Sequence, residues 1–380
     1  MPSTSESPAA AVRAKAGEVL KYVEDGRSAW FSIDANGLEA AVQATLAVTR
    51  ERFTDPAAIP FHSRWRHFEA GGRDRWAMLA PSLAHLSGEE RARRRIDLAV
   101  VSVLLDAGAG ATWIYREANT GEPFTRSEGL GVASFHMFAN GAFSADARDP
   151  LRADASRLAT LTAMDVGMGF QVKAHNPMVG LEGRTELLRR LGSTGLSRPG
   201  ALFDILEGAN VGGEVKAESI LGAVLAHLGS IWPQPDIWRH PVLGPVPFHK
   251  LSQWLSYSLV EPLEEAGRKV VELDTLTGLP EYRNGGLLID SGALRVKQRA
   301  LLTETFAPGD EPIIEWRALT VVLLDRIAQH VRLHLGLDAS RLPLVKVLEA
   351  GTWFAGRKLA AERRPGGGPP ISVASDGTVF

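Results

Sequence analysis

The most restrictive feature of this sequence is a long helical repeat of apolar residues near its C-terminal end. In "EWRALTVVLLDRIAQHVRLHLG" large apolar residues recur at intervals of three or four, namely Trp316, Leu319, Leu323, Ile327 and Val331. This spacing places them along one face of an α-helix, and Gly336 is a typical stop. We therefore expect a helix of about five turns with a buried apolar face.

Similar apolar patterns predict helices over 97–105, 128–139, 181–191 and 217–228. Ser7 and Pro8 are typical of an N-cap followed by the first helical residue. The segment "FHKLSQWLSYSLVEPLEEAG" has helical spacing too, and Pro262 is expected to kink or end that helix.

Strand signals are few. The best candidates are "KVVEL" at 269–273 and the tail "PISVASDGTVF", in which Asp376 and Gly377 predict a hairpin turn. No internal repeat and no low-complexity linker divides the chain. We predict a mainly α protein with a few short strands: a flexible N-terminus at 1–16, then a single large helical domain at 17–380 that divides, if at all, into lobes 17–195 and 196–380.

Composition excludes several classes of protein. A chain of 380 residues with 45% hydrophobic content builds a sizeable core, and its net charge of −2 lacks the basic excess of nucleic-acid binders. There is no cysteine, so disulfides, thiolate nucleophiles and cysteine-ligated metals are excluded. Neither a phosphate-binding loop nor a dinucleotide fingerprint occurs. The longest apolar run, 98–105, is too short to span a membrane, and the N-terminus lacks a secretory pattern, so we expect a soluble cytoplasmic protein.

The histidines give no metal-site pattern, since no HExxH occurs and His62 and His67 lie five residues apart. We predict no metal and no other cofactor. The segment "FHSRWRHFEAGGRDRW" interleaves basic and aromatic residues, so Arg64 and His67 are candidates to clamp a phosphate or stack on a ring. The alternative is a solvated basic face. The later run at 91–95 is typical of plain helix surface.

A second candidate site is "GLPEYRNGGLLIDSGAL", in which Glu281, Tyr282 and Arg283 are consecutive. Pro280 is a favourable first helical residue, which places Glu281 in the first turn, near the positive end of the helix dipole. Such a carboxylate stays ionised unless burial opposes it. The alternative is an ordinary helix start with a tyrosine at the surface. The pair Gly285-Gly286 inside a helix suggests close approach by a neighbour or a ligand.

Longer phrases carry a resemblance. "DLAVVSVLLDAGAGATW", "NPMVGLEGR", "VPFHKLSQWLSYSLVEPL" and "LTGLPEYRNGGLLIDSGAL" resemble a large family whose fungal members belong to a uracil-catabolism gene set. The resemblance runs from about residue 17 to residue 380. It implies a role in the breakdown of uracil through a ribosylated, ring-opened urea intermediate.

The C-terminal half also resembles queuosine salvage proteins, which are helical N-glycoside hydrolases of a nucleoside 5′-phosphate, with a fold related to helix-hairpin-helix DNA glycosylases. "FHKLSQ" places Lys250 at the lysine of one family phrase, and "PEYRNGGLLIDSGAL" follows about thirty residues later with Glu281, Tyr282 and Arg283. "IEWRALT" places Glu315 and Arg317 at a third phrase. The chain departs from that family in two ways: Glu281 replaces an aspartate, and Gly285 falls near the expected proline-glutamine pair. Queuine is therefore not the expected product.

Together these resemblances imply an N-glycoside hydrolase that acts on ribosylurea 5-phosphate or a related uracil-derived nucleotide. An ionised Glu281 would stabilise the positive charge that develops on the sugar, as electrostatic stabiliser, base or nucleophile. Asp290 and Glu315 are the candidates for a protonated partner. The predicted substrate-binding residues are His249, Lys250 and Arg283 for the 5′-phosphate, Tyr282 for the sugar, and Arg317, Arg64 and His67.

Three other functions stay open at this point. One is a metal-dependent amidohydrolase that cuts the urea portion, and another is a non-catalytic protein that binds a uracil metabolite. A nucleic-acid glycosylase ranks last, because only fold analogy supports it. The expected partner is a small nucleotide-like molecule, with no nucleic acid and no membrane, and the sequence leaves the oligomeric state open.

Overall fold

The computed structural model describes residues 7–106, 108–110 and 112–374. Its helices are α1 (Pro8–Glu24), α2 (Ala35–Arg52), α3 (Trp65–Phe68), α4 (Arg75–Leu79), α5 (Gly88–Leu104), α6 (Arg126–Ala139), α7 (Ala155–Leu158), α8 (Ala163–Gly169), α9 (Leu181–Leu191), α10 (Leu202–Glu207), α11 (Ala217–Leu228), α12 (Lys250–Glu265), α13 (Tyr282–Asp290), α14 (Glu311–Leu335), α15 (Leu344–Val347) and α16 (Trp353–Arg363). The predicted mainly α fold is confirmed. In this part of the chain no helix is long and apolar enough to cross a membrane.

The strands are short and form two-stranded ribbons. They are β1 (Phe31–Ile33), β2 (Tyr115–Arg116), β3 (Pro123–Phe124), β4 (Glu214–Lys216), β5 (Ile237–His240), β6 (Gly244–Pro247), β7 (Lys269–Val271), β8 (Leu294–Val296), β9 (Thr305–Phe306) and β10 (Ser372–Val373). The pairs β1–β8, β2–β3 and β5–β6 are antiparallel, whereas β4–β7 and β9–β10 are parallel. The predicted strand in "KVVEL" is β7. The predicted turn at Asp376 and Gly377 lies outside the described residues.

Several helix ends match their sequence signals. The Ser7 hydroxyl caps α1 by accepting from the Ala10 N–H at 3.2 Å, and Pro8 is the first helical residue, as predicted. Helices α9 and α11 have the predicted bounds, and α14 ends at Gly336 in the left-handed conformation. Helix α5 begins earlier than predicted because its charged first turns are capped by the Ser87 hydroxyl.

Helix α12 does not end at Pro262, contrary to one of the two expectations, but continues to Glu265. Proline removes the N–H that would bond the carbonyl four residues earlier, which belongs to Ser258. The Trp65 indole N–H donates to that carbonyl at 2.8 Å instead. The helix therefore passes the proline without leaving the freed acceptor unsatisfied.

The described chain forms two compact units that interleave along the sequence. Unit 1 contains residues up to His62, Asp236–Gln253 and Glu272–Ala374, and unit 2 contains Ser63–Pro235 and Trp254–Val271.

Helix α14 is the centre of unit 1. All five residues of its predicted apolar face are at most 2% exposed, which confirms the buried stripe. Helices α1, α2 and α13 pack against α14, and α16 packs against α13. A Cβ on Gly285 of α13 would lie 2.7 Å from the Trp316 ring, and the Trp316 indole donates to the Gly285 carbonyl at 3.0 Å. The neighbour that the glycine pair predicted is therefore Trp316.

Unit 2 is organised around α5, whose C-terminal half is buried on nearly every side. The arginine run at 91–95 was predicted to be plain helix surface. That prediction is wrong, because Arg94 and Arg95 are buried. Arg94 forms an ion pair with Asp149 at 2.6 Å, and the Arg95 guanidinium lies 3.9 Å from the centroid of the Trp65 ring. Their long stems cover the core while their charges are paired.

Candidate active site

Glu281 lies at the start of α13, one residue before the helix begins. Its backbone is extended, and its carboxylate accepts from the N–H groups of Arg283 at 2.7 Å and Asn284 at 2.6 Å. Glu281 is therefore the N-cap, and the helix begins at Tyr282 rather than at Pro280 as predicted. A capping carboxylate that binds two orphan N–H groups is fixed in direction by the backbone.

The half-buried Glu281 carboxyl experiences opposing electrostatic effects. Burial raises its pKa, whereas the two backbone hydrogen bonds and the charges of Lys250 and His62 lower it, and the net effect is a raised pKa. Burial favours the neutral acid and the cations favour the anion. No side chain of the described residues hydrogen-bonds this carboxylate, so its charge is balanced only at longer range.

Lys250 and Glu281 belong to the two motifs that the sequence singled out, and a glutamine joins them. Gln253, one turn along α12, accepts from the buried Thr277 N–H at 2.7 Å and donates to the Phe248 carbonyl at 3.0 Å. It therefore fixes the loop that leads into α13 against the start of α12.

Asp236 organises the start of α12. It accepts from the Lys250 N–H at 3.0 Å and forms a two-pronged ion pair with Arg317, with both distances 2.8 Å. Burial opposes ionisation of Asp236, yet the Arg317 guanidinium and these hydrogen bonds lower its pKa overall. The guanidinium also lies 4.0 Å from the centroid of the Phe248 ring. Arg317, a predicted substrate-binding residue, is thus bound to Asp236.

His249 adopts an unusual backbone conformation for its type, with φ of 50°. Burial lowers the pKa of its imidazole, and the nearby Asp236 carboxylate raises it, with a net lowering. The ring is therefore biased towards its neutral form, which suits a hydrogen-bond donor or acceptor better than a fixed cation.

A second carboxylate lies near the Glu281 cap. The buried Glu349 accepts from His62 Nδ1 at 2.8 Å and forms an ion pair with Arg52 Nη2 at 3.1 Å. His62 also contributes to lowering the pKa of Glu281, so this imidazole interacts with both carboxylates.

Glu349 lies in a π-helical turn, Leu348–Thr352, between α15 and α16. The wider turn shifts the side chains that follow it, and such turns recur at functional sites. Thr352 donates from its hydroxyl to the Asn284 amide oxygen at 2.8 Å, and the Asn284 N–H in turn donates to the capping carboxylate of Glu281. The π turn and the start of α13 are therefore joined by hydrogen bonds.

Arg283 is buried, and its Nη1 donates to the Gly367 carbonyl at 2.8 Å. Its guanidinium also lies 4.9 Å from the centroid of the half-buried Tyr282 ring. The structure thus uses this arginine to hold the turn after α16, and its predicted contact with phosphate competes with that bond.

The two predicted partner carboxylates are engaged elsewhere. Asp290 lies at the far end of α13, about 13 Å along the axis from Glu281 at 1.5 Å per residue. It forms a two-pronged ion pair with Arg364 at 2.5 and 2.7 Å. Glu315 is fully buried and accepts from the Ser28 hydroxyl at 2.5 Å.

Glu315 also belongs to a group that resembles a metal site. Its carboxylate, that of Glu311 and the His240 ring nitrogen lie within 4.8 Å of one another. His240 Nδ1, however, accepts from the N–H groups of Val242 at 3.1 Å and Leu243 at 3.2 Å. Since those groups only donate, Nε2 carries the proton and points at the carboxylates. A neutral imidazole in this tautomer has no lone pair on Nε2, so the group does not fit a metal ion.

Arg64 and His67 belong to unit 2, inside its core. The fully buried Arg64 donates to the Ser102 hydroxyl at 2.7 Å and pairs with Asp106 at 3.0 Å. Burial lowers the pKa of Arg64, and Asp106 opposes that effect. The His67 ring packs edge-on against Trp254 with centroids 5.7 Å apart. This segment is therefore not a solvated basic face, and the binding role of the two residues stays a prediction.

Sequence reasoning missed Glu349 and Asp236 and considered His62 only as a zinc ligand. His62 and Glu349 are separated by 287 positions, and no motif of the sequence contains both. The available signal was weak: a glutamate two residues before a glycine and three before a threonine.

Comparisons with known proteins cover nearly the whole chain. The family model described as "Protein of unknown function (DUF1688)" matches residues 7–380. The chain is 39% identical to "Uracil catabolism protein 4" of Lachancea kluyveri over 427 aligned residues, which cover 97% of both proteins. It is 38% identical to "Protein urg3" of Schizosaccharomyces pombe over 393 aligned residues, which cover 97% of this chain and 96% of that protein. The first resemblance is thereby confirmed, and the chain belongs to the DUF1688 family.

Proposed function

We propose that this protein acts in uracil catabolism as an N-glycoside hydrolase that splits ribosylurea 5-phosphate, or a closely related nucleotide, into urea and ribose 5-phosphate. The name of the Lachancea relative supports the pathway. The reaction is supported by one observation above all: Glu281 presents a carboxylate fixed by two backbone N–H groups, with Lys250 and His62 near enough to affect its pKa.

Glu281 fits the demand of this chemistry. As the C1′–N bond breaks, positive charge develops on the ribose, and a fixed carboxylate stabilises that charge more than it stabilises the substrate. Substrate that displaces water from the carboxylate strengthens this attraction. The base or nucleophile roles of Glu281 are compatible with the same position.

Lys250 and His249 hold the 5′-phosphate in this proposal. Lys250 supplies a cation at the start of α12, and the neutral-biased His249 supplies a hydrogen bond. Arg317 acts indirectly, because its ion pair with Asp236 fixes the backbone of Lys250. Tyr282 contacts the sugar. Binding energy from the phosphate then orients C1′ towards Glu281.

The test uses the purified full chain with ribosylurea 5-phosphate, UMP and uridine, with and without EDTA, and measures ribose 5-phosphate and urea. We expect EDTA-resistant release from ribosylurea 5-phosphate, and a loss of about 100-fold or more in kcat for Glu281→Gln.

Asp34→Asn is the matched control, because Asp34 is also an N-cap carboxylate of unit 1 and accepts from the Gly37 N–H at 2.9 Å. It should keep wild-type turnover. Absence of ribose 5-phosphate, with ammonia formed only when metal is added, would contradict the proposal and favour a metal-dependent amidohydrolase.

A further inference from the structure

We infer, on the basis of the function proposed above, that His62 gives the departing urea nitrogen its proton and that Glu349 is the positioning residue that aims His62.

The reaction requires an acid besides Glu281. Urea leaves as a neutral molecule only if its nitrogen gains a proton as the C1′–N bond breaks, whereas the group facing C1′ has to be ionised. Asp290 and Glu315, the acids expected from the sequence, are held by Arg364 and by Ser28 and His240. The proton donor is therefore another titratable group that interacts with Glu281.

The His62 ring is held in a fixed orientation. Its Nδ1 is bound to Glu349 at 2.8 Å, which fixes the ring and leaves Nε2 to exchange a proton. Among the described residues no group hydrogen-bonds Nε2, whereas His240 is bonded through both ring nitrogens. An imidazole held by a carboxylate through one ring nitrogen, with the other nitrogen available for proton transfer, is the arrangement of a general acid–base catalyst.

Two connections link His62 to the Glu281 carboxylate. The first is electrostatic, since the charge of His62 acts on Glu281. The second is structural, because the π turn that carries Glu349 also carries Thr352, whose hydroxyl fixes Asn284 in the Glu281 cap.

The proposed step balances without a cofactor. The C1′–N bond breaks, its electron pair stays on nitrogen, and the Nε2 proton of the His62 imidazolium moves to that nitrogen to give urea. Water then adds to C1′ and gives ribose 5-phosphate, and the proton that water loses returns to His62. Glu281 stabilises the sugar cation between the two steps.

The experiment compares wild type with His62→Ala on ribosylurea 5-phosphate, with and without added imidazole, after circular dichroism has established that the variant is folded. We expect kcat to fall about 100-fold or more, KM to change little, and imidazole to restore part of kcat. Glu349→Gln should lower kcat about 10-fold, because the ring loses its alignment.

His136→Ala is the matched control, since it removes a histidine bound to a buried glutamate, Glu117, at 2.7 Å in unit 2. It should keep wild-type kcat and show no response to imidazole. Full activity in His62→Ala, or a loss that imidazole does not restore, overturns the assignment of His62 and leaves Glu281 in place. A wild type that releases no ribose 5-phosphate overturns the proposed function itself, and the two failures are therefore distinct.

Discussion

Each compact unit contains a buried glutamate bound by an arginine and a histidine, and the two groups differ in how tightly the carboxylate is held. In unit 2, Glu117 pairs with Arg75 at 2.6 and 2.9 Å and with His136 at 2.7 Å. The Arg75 hydrogen bond is the main reason that the pKa of Glu117 is lowered to about 2, against the opposing effect of burial.

In unit 1, Glu349 has a longer bond of 3.1 Å to Arg52 and binds His62 through the opposite ring nitrogen. His62 in turn opposes the effect of burial on Glu281, a carboxylate whose pKa is raised overall. The same three residue types thus form a closed ion-pair cluster in one unit, whereas in the other one nitrogen of the His62 ring has no hydrogen bond from the described residues. The way in which the charged groups are paired, rather than the residue types present, therefore distinguishes the structural cluster of unit 2 from the candidate catalytic group of unit 1.

The largest expected effect comes from breaking the unit 2 cluster. Arg75→Met leaves Glu117 buried without its cation and removes bonds to the Phe68 and Ala70 carbonyls. We expect a loss of about 3–5 kcal/mol in the free energy of unfolding, measured by urea denaturation. Arg52→Met is the matched variant in unit 1. Its side chain is 26% exposed against 3% for Arg75, so its loss should be clearly smaller. Equal losses would contradict the difference drawn between the clusters.

The second effect is a pH dependence of opposite sign in the two units. The lowered pKa of Glu117 stabilises the fold above its ordinary value of 4.5, and this contribution, about 3 kcal/mol from the shift, is lost as the pH falls towards about 2. The raised pKa of Glu281 favours the fold below 4.5, and that benefit is lost as the pH rises through the raised value.

The stability contributions of Glu117 and Glu281 are measured from urea denaturation midpoints between pH 2 and pH 8. The proteins compared are wild type, Glu117→Gln and Glu281→Gln. Glu117→Gln should be less stable than wild type at neutral pH, and the gap should close in acid. The stability of Glu281→Gln relative to wild type should increase as the pH rises above about 4.5, because only wild type has a carboxyl that must ionise. Parallel curves for the three proteins would show that neither carboxylate has a shifted pKa.

The smallest effect concerns the π turn. A Cβ on Gly351 would lie 2.4 Å from the Thr45 methyl and 2.7 Å from the Thr49 hydroxyl, so Gly351→Ala should cost about 1–2 kcal/mol of stability. Because the turn aims Glu349, kcat should fall as well. Adding Thr45→Ser removes the clashing methyl and keeps a hydroxyl for the Ala41 carbonyl, so it should restore part of both losses. If a folded Gly351→Ala protein kept the wild-type kcat, the conformation of the π turn would have no role in catalysis.

The sequence predicted the features that depend on neighbours along the chain. The apolar face of α14, the bounds of α9 and α11 and the Ser7 cap follow from spacings of a few residues, which local sterics and hydrogen bonds decide. It predicted Glu281 and Lys250 as one site through resemblance; the charge of Lys250 lowers the pKa of Glu281, and their shared site stays a prediction.

Other features were beyond local pattern. Pro262 was expected to kink or end α12, yet a tryptophan distant in sequence bonds the freed carbonyl. The arginines at 94 and 95 have the sequence pattern of a helix surface, and their burial depends on an aspartate and a tryptophan supplied by other segments.

By itself, then, the sequence determined a mainly helical, cysteine-free chain and the two motifs that contain Lys250 and Glu281, because helix formation and motif chemistry are short-range properties. Only the tertiary structure decided which charges are neutralised. Arg283, Asp290, Glu315 and Arg317 bind protein groups, and His62 and Glu349, 287 positions apart, bind each other. The physical reason is that a buried charge is stabilised by whatever partner the fold brings within hydrogen-bonding distance, and periodicity contains no information about that partner.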